Sequence, residues 1–242
     1  MSPARLLRHL PTALLALLLP LIAAACDDNE GYRYPSVKLE LVTIVADGNG
    51  AIATLVPDEG DPLPVASDRT GTNIEADSER RVLSNYEVVE ADGQPMADIY
   101  SLQAVITPAP QSPQDAKFDP AQMQDPVEVT SIWMGRNYLN MLLNVKVKGG
   151  TNHVFAVLKE ELPAAADSRR TVRLTLFHNA NGDQELYNRN AYVSIPLQSV
   201  AADDGSPVHI EFCYYTRHDD GSVSLSEQYS GTGFAGFEYT PR

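Results

Sequence analysis

The segment His178-Asn179-Ala180-Asn181-Gly182-Asp183-Gln184-Glu185 sets side-chain oxygens at every second position, on Asn179, Asn181, Asp183 and Glu185. A hard cation such as Ca²⁺ takes about six to eight oxygen ligands, so this is where a cation could be held. The order D-x-[DN]-x-[DN]-G is not met. Gly182 precedes the third ligand, and Asn190 stands where a twelfth-position carboxylate is needed. The same residues also suit a hairpin turn, with Asn and Gly supplying left-handed backbone. Both readings stand.

Other chemistry has less support. Of the histidines after residue 25 (His153, His178, His209 and His218), none forms H-x-x-x-H or sits near a second sulfur, so zinc has no pattern to rest on. No G-x-S-x-G or G-x-x-x-x-G-K-[ST] occurs, and Gly231-Thr232-Gly233 reads as a turn. In Val208–Tyr215, Cys213 and His209 share a strand face but stand four residues apart, about 13 Å by strand rise, too far for a thiol–imidazole pair. Cys213 is expected as an inert, partly covered thiol. No catalytic residue and no cofactor is assigned, and the chain is read as a non-enzyme.

Aromatic residues are the better binding candidates: Trp133, Tyr138, Tyr192 and Tyr215, with Tyr187 and Tyr229 beside them. A tyrosine or tryptophan ring offers an apolar face and a polar edge, as contacts to protein or sugar require. The competing use of the same rings is to fill a core.

Elements must position these residues. Residues 1–25 carry Arg5, Arg8 and His9, then the run 13–19 and Leu21-Ile22, then three alanines: a secretory signal in order and length, interrupted by Pro20. The following Cys26 resembles the processed cysteine of a bacterial lipoprotein, although Ala23 stands where leucine is more usual. A lipidated cysteine would anchor the chain in a membrane by its acyl chains. The acidic run Asp27-Asp28-Asn29-Glu30 resembles the surface-export signal of Bacteroidetes lipoproteins, through Asp27, Asp28 and Glu30. Outer-membrane anchoring, at the cell surface or facing the periplasm, is the expected location, and no Cys26–Cys213 disulfide is expected.

The whole chain has 32 acidic and 18 basic residues, a formal charge of −14. Such a balance argues against nucleic acid, which needs a concentrated basic surface. Residues 26–35 read as an acidic tether. Alternating apolar residues and turns such as Asp47-Gly48-Asn49-Gly50 and Asp92-Gly93 predict four to five strands over 36–107, a small OB-like β-barrel, with 57–79 a loop. Its 13 acids and 4 bases give −9. Residues 108–126, rich in Pro and Gln, read as a linker. Over 127–242 the column Leu139, Met141, Leu143, Val145 and Val147 opens a set of six to seven strands expected to form an antiparallel, immunoglobulin-like β-sandwich. The fold class is all-β.

The stretches YPSVKLELVTI, RNYLNMLLN and LFHNANGD, placed in this order after a candidate lipidated cysteine, resemble the NigD-like lipoproteins of Bacteroidetes. That resemblance implies an OB-like first domain, a sandwich second domain and an association with bacteriocin gene clusters, without a general activity. The expected function is a membrane-anchored module that binds a protein or peptide. Alternatives are a glycan-binding accessory lipoprotein, a secreted hydrolase or a fimbria-like subunit.

Overall fold

The computed structural model describes residues 36–163, 170–226 and 236–241. The signal segment, Cys26, Asp27, Asp28, Glu30 and Tyr229 lie outside the described residues.

Local turn chemistry sets the first strands. At Asp47-Gly48-Asn49-Gly50 the Asp47 carboxylate accepts from the amides of Asn49 (2.8 Å) and Ala51 (3.0 Å). Gly50 has φ +85°, and a Cβ there would lie 2.5 Å from the Ile74 carbonyl oxygen, so only glycine fits. This turn joins β1 (Lys38–Ala46) to β2 (Ile52–Pro57). A second turn, with φ +53° at Asp92 and +75° at Gly93, joins β4 (Glu79–Ala91) to β5 (Gln94–Ala104). With β3 (Leu63–Asp68) they close a barrel in the order β1-β2-β3-β5-β4, β4 returning to β1 and β3 running parallel to β5. That five-stranded closure is OB-like, with Val42, Ile44, Leu55, Val82, Tyr86 and Ile99 in its core.

β3 corrects the expectation of a loop over 57–79. Its pairing with β2 is only Thr54↔Pro64 and Leu55↔Leu63, so Pro64 costs few ladder hydrogen bonds.

The second domain packs a larger sheet on a smaller one. The larger has the order β13 (Val223–Leu225), β12 (Val208–Arg217), β10 (Thr171–Asn179), β9 (Val154–Glu161), β6 (Pro110–Gln111), and β14 (Phe237–Tyr239) also pairs with β12. The smaller is β11 (Tyr187–Pro196), β8 (Tyr138–Val147), β7 (Glu128–Met134). The predicted column of β8 faces Leu174, Leu176, Ile210 and Phe212 in one core. Each such side chain contributes roughly 1.5–3 kcal/mol by leaving water.

The expected antiparallel arrangement needs correction here. β10 and β12 pair in parallel, as do β6 and β9. Between β10 and β12 the chain crosses to the other sheet as β11, so it comes back in the direction it left.

Residues 108–126 do not hang as a linker. They supply β6 and then cover the outer face of the larger sheet, with Phe118 against Phe177 (ring centroids 5.5 Å apart) and Met123 buried beside Ala156 and Leu158. The His178 amide donates to Met123 O (3.0 Å) and the Asp125 amide to His178 O (3.0 Å).

Candidate functional site between barrel and sandwich

Strand alternation gives β1 and β4 two faces. Val42, Ile44, Val82 and Tyr86 fill the barrel, so Leu39, Leu41, Arg81 and Leu83 point outward. The outer face of the smaller sheet meets them with Trp133, Asn140, Tyr192 and Ser194, where Asn140 pairs in register with both Trp133 and Ser194.

At one end the two faces lock together. Arg81, with a side chain 1% exposed, donates to Asp58 Oδ2 (2.5 Å), Asn140 Oδ1 (3.2 Å) and Ser194 Oγ (3.2 Å). Asn140 Nδ2 also donates to Asp58 Oδ2 (2.9 Å), and Ser194 Oγ donates to Asn140 Oδ1. The Arg81 guanidinium lies 4.3 Å from the Tyr138 ring centroid. Arg136 reaches back to the carbonyls of Pro57 and Gly60. A buried charge holds only when it is paired and hydrogen-bonded, and Arg81 meets a carboxylate, an amide oxygen and a hydroxyl.

Beyond this lock the faces part into a crevice of about 450 Å³. Leu39, Leu41, Leu83, Trp133, Met134 and Tyr192 supply its apolar walls, with Lys38, Glu40, Asp58 and Glu59 also lining it. Leu39 is 59% exposed and Trp133 37%. A cleft between domains with apolar walls and a few charged groups is the usual form of a binding site. Glu40 accepts the Tyr86 hydroxyl hydrogen bond (2.8 Å); burial, followed by that bond, pushes the Tyr86 phenol above its ordinary range.

Of the aromatic candidates, Trp133 and Tyr192 are therefore brought together. Tyr138 and Tyr215 are corrections. Tyr138 is only 8% exposed, under Arg81, and Tyr215 is half-buried against Phe177 with centroids 5.7 Å apart. Both rings are covered by chain distant in sequence. Cys213, expected to be partly covered, is buried, alongside Thr175 of β10.

The segment 178–185 forms a turn, with φ +51° at Asn181 and +73° at Gly182 and the Asp183 amide donating to Ala180 O (3.0 Å). Its oxygens diverge. Asn179 Oδ1 accepts from the Asn181 amide (2.7 Å), the Asn181 side chain donates to Asn152 O, and Glu185 pairs with Arg217. Asp183 accepts from the amides of Gly149 (3.0 Å), Lys148 (3.1 Å) and Gln184 (2.9 Å) and from His153 Nε2 (3.3 Å). The Gly149 amide and these other donors hold its carboxyl below the usual carboxylate range.

Sequence reading missed the neighbour of this turn. His153 Nδ1 lies 2.9 Å from His178 Nε2, so Asp183, His153 and His178 form a chain. With His153 Nε2–H donating to Asp183, His178 must donate its own Nε2–H to His153, leaving Nδ1 bare. That nitrogen is buried without a hydrogen-bond partner among the described residues. The His178 ring stacks on Phe155 (4.6 Å), and burial, then the nearby His153, pushes its pKa down to about 4. The chain thus runs inward to a buried neutral imidazole. Local pattern suits both His178 and Phe155 to strands, but the pairing of those strands and the register His178↔Phe155 come only from the fold.

Barrel, sandwich and crevice define the class: an all-β protein in which a small barrel and a sandwich flank a cleft. The family model for the NigD-like C-terminal beta sandwich domain matches residues 108–226. A crystal structure of a NigD-like immunity protein from Bacteroides caccae ATCC 43185 is 46% identical, covering 87% of this chain and 100% of its own, with a TM-score of 0.71. The chain belongs to the NigD-like family. Two more distant structures share the fold: a protein described as toxin related from Parabacteroides distasonis ATCC 8503 (22% identity, 85% and 94% covered, TM-score 0.62), and one described as a lipoprotein from Bacteroides fragilis NCTC 9343 (10%, 79% and 97%, 0.54). The search of curated proteins returned no match.

Proposed function

We propose that this chain is an exported, Cys26-anchored lipoprotein of the outer membrane, displayed at the cell surface, which binds a protein or peptide ligand in the crevice between barrel and sandwich and catalyses no reaction. The observation carrying this reading is the pairing of Trp133 with Tyr192 and Leu39 in one open cleft. Aromatic anchors in a partly desolvated pocket dominate peptide and protein recognition. The immunity protein of Bacteroides caccae supports a toxin-directed ligand, and the sequence Ala25-Cys26-Asp27-Asp28 supports the anchor.

Trp133 is the single tryptophan of the chain, so its emission reports the crevice alone. Candidate bacteriocins from the same gene neighbourhood should shift and protect that emission, and Leu39→Asp should abolish the effect. A deletion strain should become more sensitive to the same peptide. Unchanged sensitivity together with a silent tryptophan would sink the reading, and saccharides shifting the emission in place of peptides would move it to the glycan alternative. Separately, Cys26→Ser should release the protein from membranes. Neutralising Asp27, Asp28 and Glu30 should lower protease accessibility on intact cells.

A further inference from the structure

β11 carries a charge at the open end of its core-facing column. Val193 and Ile195 are buried in the sandwich core and Ala191 packs against it, so the residue two positions earlier on that face is Arg189. Its register partner is Val145, a core residue. Tyr187–Asn190 are all exposed, so Arg189 stands on the core-side face of the strand at the open, solvent end of that column.

A cavity of about 350 Å³ opens beside Arg189. Ile106, just past the end of β5, bridges to Val193 in parallel, its amide donating to Tyr192 O (3.0 Å) and its carbonyl accepting from Ser194 (2.9 Å). Upstream of that bridge, β5 turns into the barrel while β11 runs on toward Tyr187, and the two strands splay. The wedge between them has an apolar floor of Ile106, Val145, Val147, Phe155 and Ala191, continuous with the sandwich core.

Arg69, Arg81, Arg170, Arg173 and Arg217 each hold a carboxylate. Arg189 has no hydrogen-bond or ion-pair partner among the described residues, in a chain where acids outnumber bases 32 to 18. The other ionisable groups in the wall are engaged. Asp183 spends its oxygens on three amides and His153, and both His153 nitrogens are taken by Asp183 and His178. Gln103 and Asn190, which also line the wall, bring neutral amides.

We propose that this cavity binds a carboxylate carrying an apolar group, with the tail on the Val145–Val147–Phe155 floor and the head paired to Arg189. A planar guanidinium matches a carboxylate through two parallel hydrogen bonds, and the floor gives the tail a dry surface. The same chemistry is presented by a short fatty acid and by the C-terminus of a peptide ending in an apolar residue. The site is separate from the crevice, although Tyr192 borders both.

Calorimetric titration of the full chain distinguishes the sources. The probes are butanoate, hexanoate and octanoate, the alcohols of equal length, and acetylated dipeptides ending in leucine with free or amidated C-termini. Carboxylates should bind at least tenfold more tightly than the matching alcohols, and each added methylene should tighten binding about fourfold until the cavity is full. Arg189→Gln should erase the carboxylate preference while leaving alcohol binding unchanged. Gln103→Trp, on the exposed barrel-side wall, should block every probe. Preference for free-acid dipeptides would assign the peptide source, and preference for octanoate the fatty-acid source. Equal affinity for acids and alcohols, independence of chain length, or full carboxylate binding by Arg189→Gln would each overturn the proposal.

Discussion

Arg81 and Arg189 sit on neighbouring structures at opposite ends of the smaller sheet, and the two meet opposite fates. Arg81 leaves the barrel wall and finds a carboxylate, an amide, a hydroxyl and an aromatic ring within reach. Arg189, exposed on the core side of β11, finds none of these among the described residues and borders a cavity. A matched buried cation ties the barrel wall to the smaller sheet. An exposed, unmatched cation at a cavity mouth adds little to folding and is available to a ligand. The difference teaches that a charge on a strand face is read from its partners and not from its exposure alone.

Removing Arg81 should produce the largest effect. Arg81→Leu strips Asp58 of its counter-ion and leaves Asn140 and Ser194 with an unfilled acceptor, at a cost of about 3–5 kcal/mol. A urea titration should show a clear fall in midpoint. An unchanged midpoint would mean the junction is not held by charge.

At the Arg189 end, acid should be nearly as damaging. The His178 pKa is near 4 in the folded protein against an ordinary value of 6.5, so the unfolded chain takes up a proton first as pH falls. The stability from keeping His178 neutral is therefore complete above pH 6.5 and lost between 6.5 and about 4, amounting to about 3 kcal/mol. His178→Phe retains the stack on Phe155 and should flatten this part of the pH profile; a profile identical to that of the parent would contradict the assignment.

Gly135 tests how tightly the lock is built. A Cβ there would come within 2.6 Å of the Asp58 carboxyl carbon and 2.5 Å of Asn140 Nδ2. Gly135→Ala should cost about 2 kcal/mol by crowding Asp58 away from Arg81, measurable as a smaller fall in urea midpoint than Arg81→Leu gives. The smallest effect on folding belongs to Arg189→Gln, whose midpoint should equal that of the parent. A large loss would show that Arg189, like Arg81, is structural.

Much of the architecture was legible from local pattern. The β8 column Leu139, Met141, Leu143, Val145 and Val147 is buried as its alternation requires. Asp92-Gly93 and Asn181-Gly182 adopt the left-handed backbone their residue types favour. β3 was missed because two prolines hide a strand whose pairing is brief. Residues 108–126 were read as a linker because their composition is that of one, yet Phe118 and Met123 find apolar partners on a sheet face that no local signal describes. Within the candidate site, residue type singled out Trp133 and Tyr192 together with Tyr138 and Tyr215, without separating the two that line the crevice from the two packed against Arg81 and Phe177.

By itself the sequence determined the all-β class, the places where the chain turns and the apolar columns of its strands. These depend on residues two to four apart, where side-chain alternation and backbone sterics act directly. Tertiary structure alone decided that β10 and β12 run parallel, that Leu39 and Leu41 face a crevice instead of the barrel interior, and that Arg81 is matched while Arg189 is not. Those outcomes depend on partners such as Arg81 and Ser194, 113 positions apart in the chain. Burial and charge pairing are set by what the fold brings within a few ångströms, which no local pattern specifies.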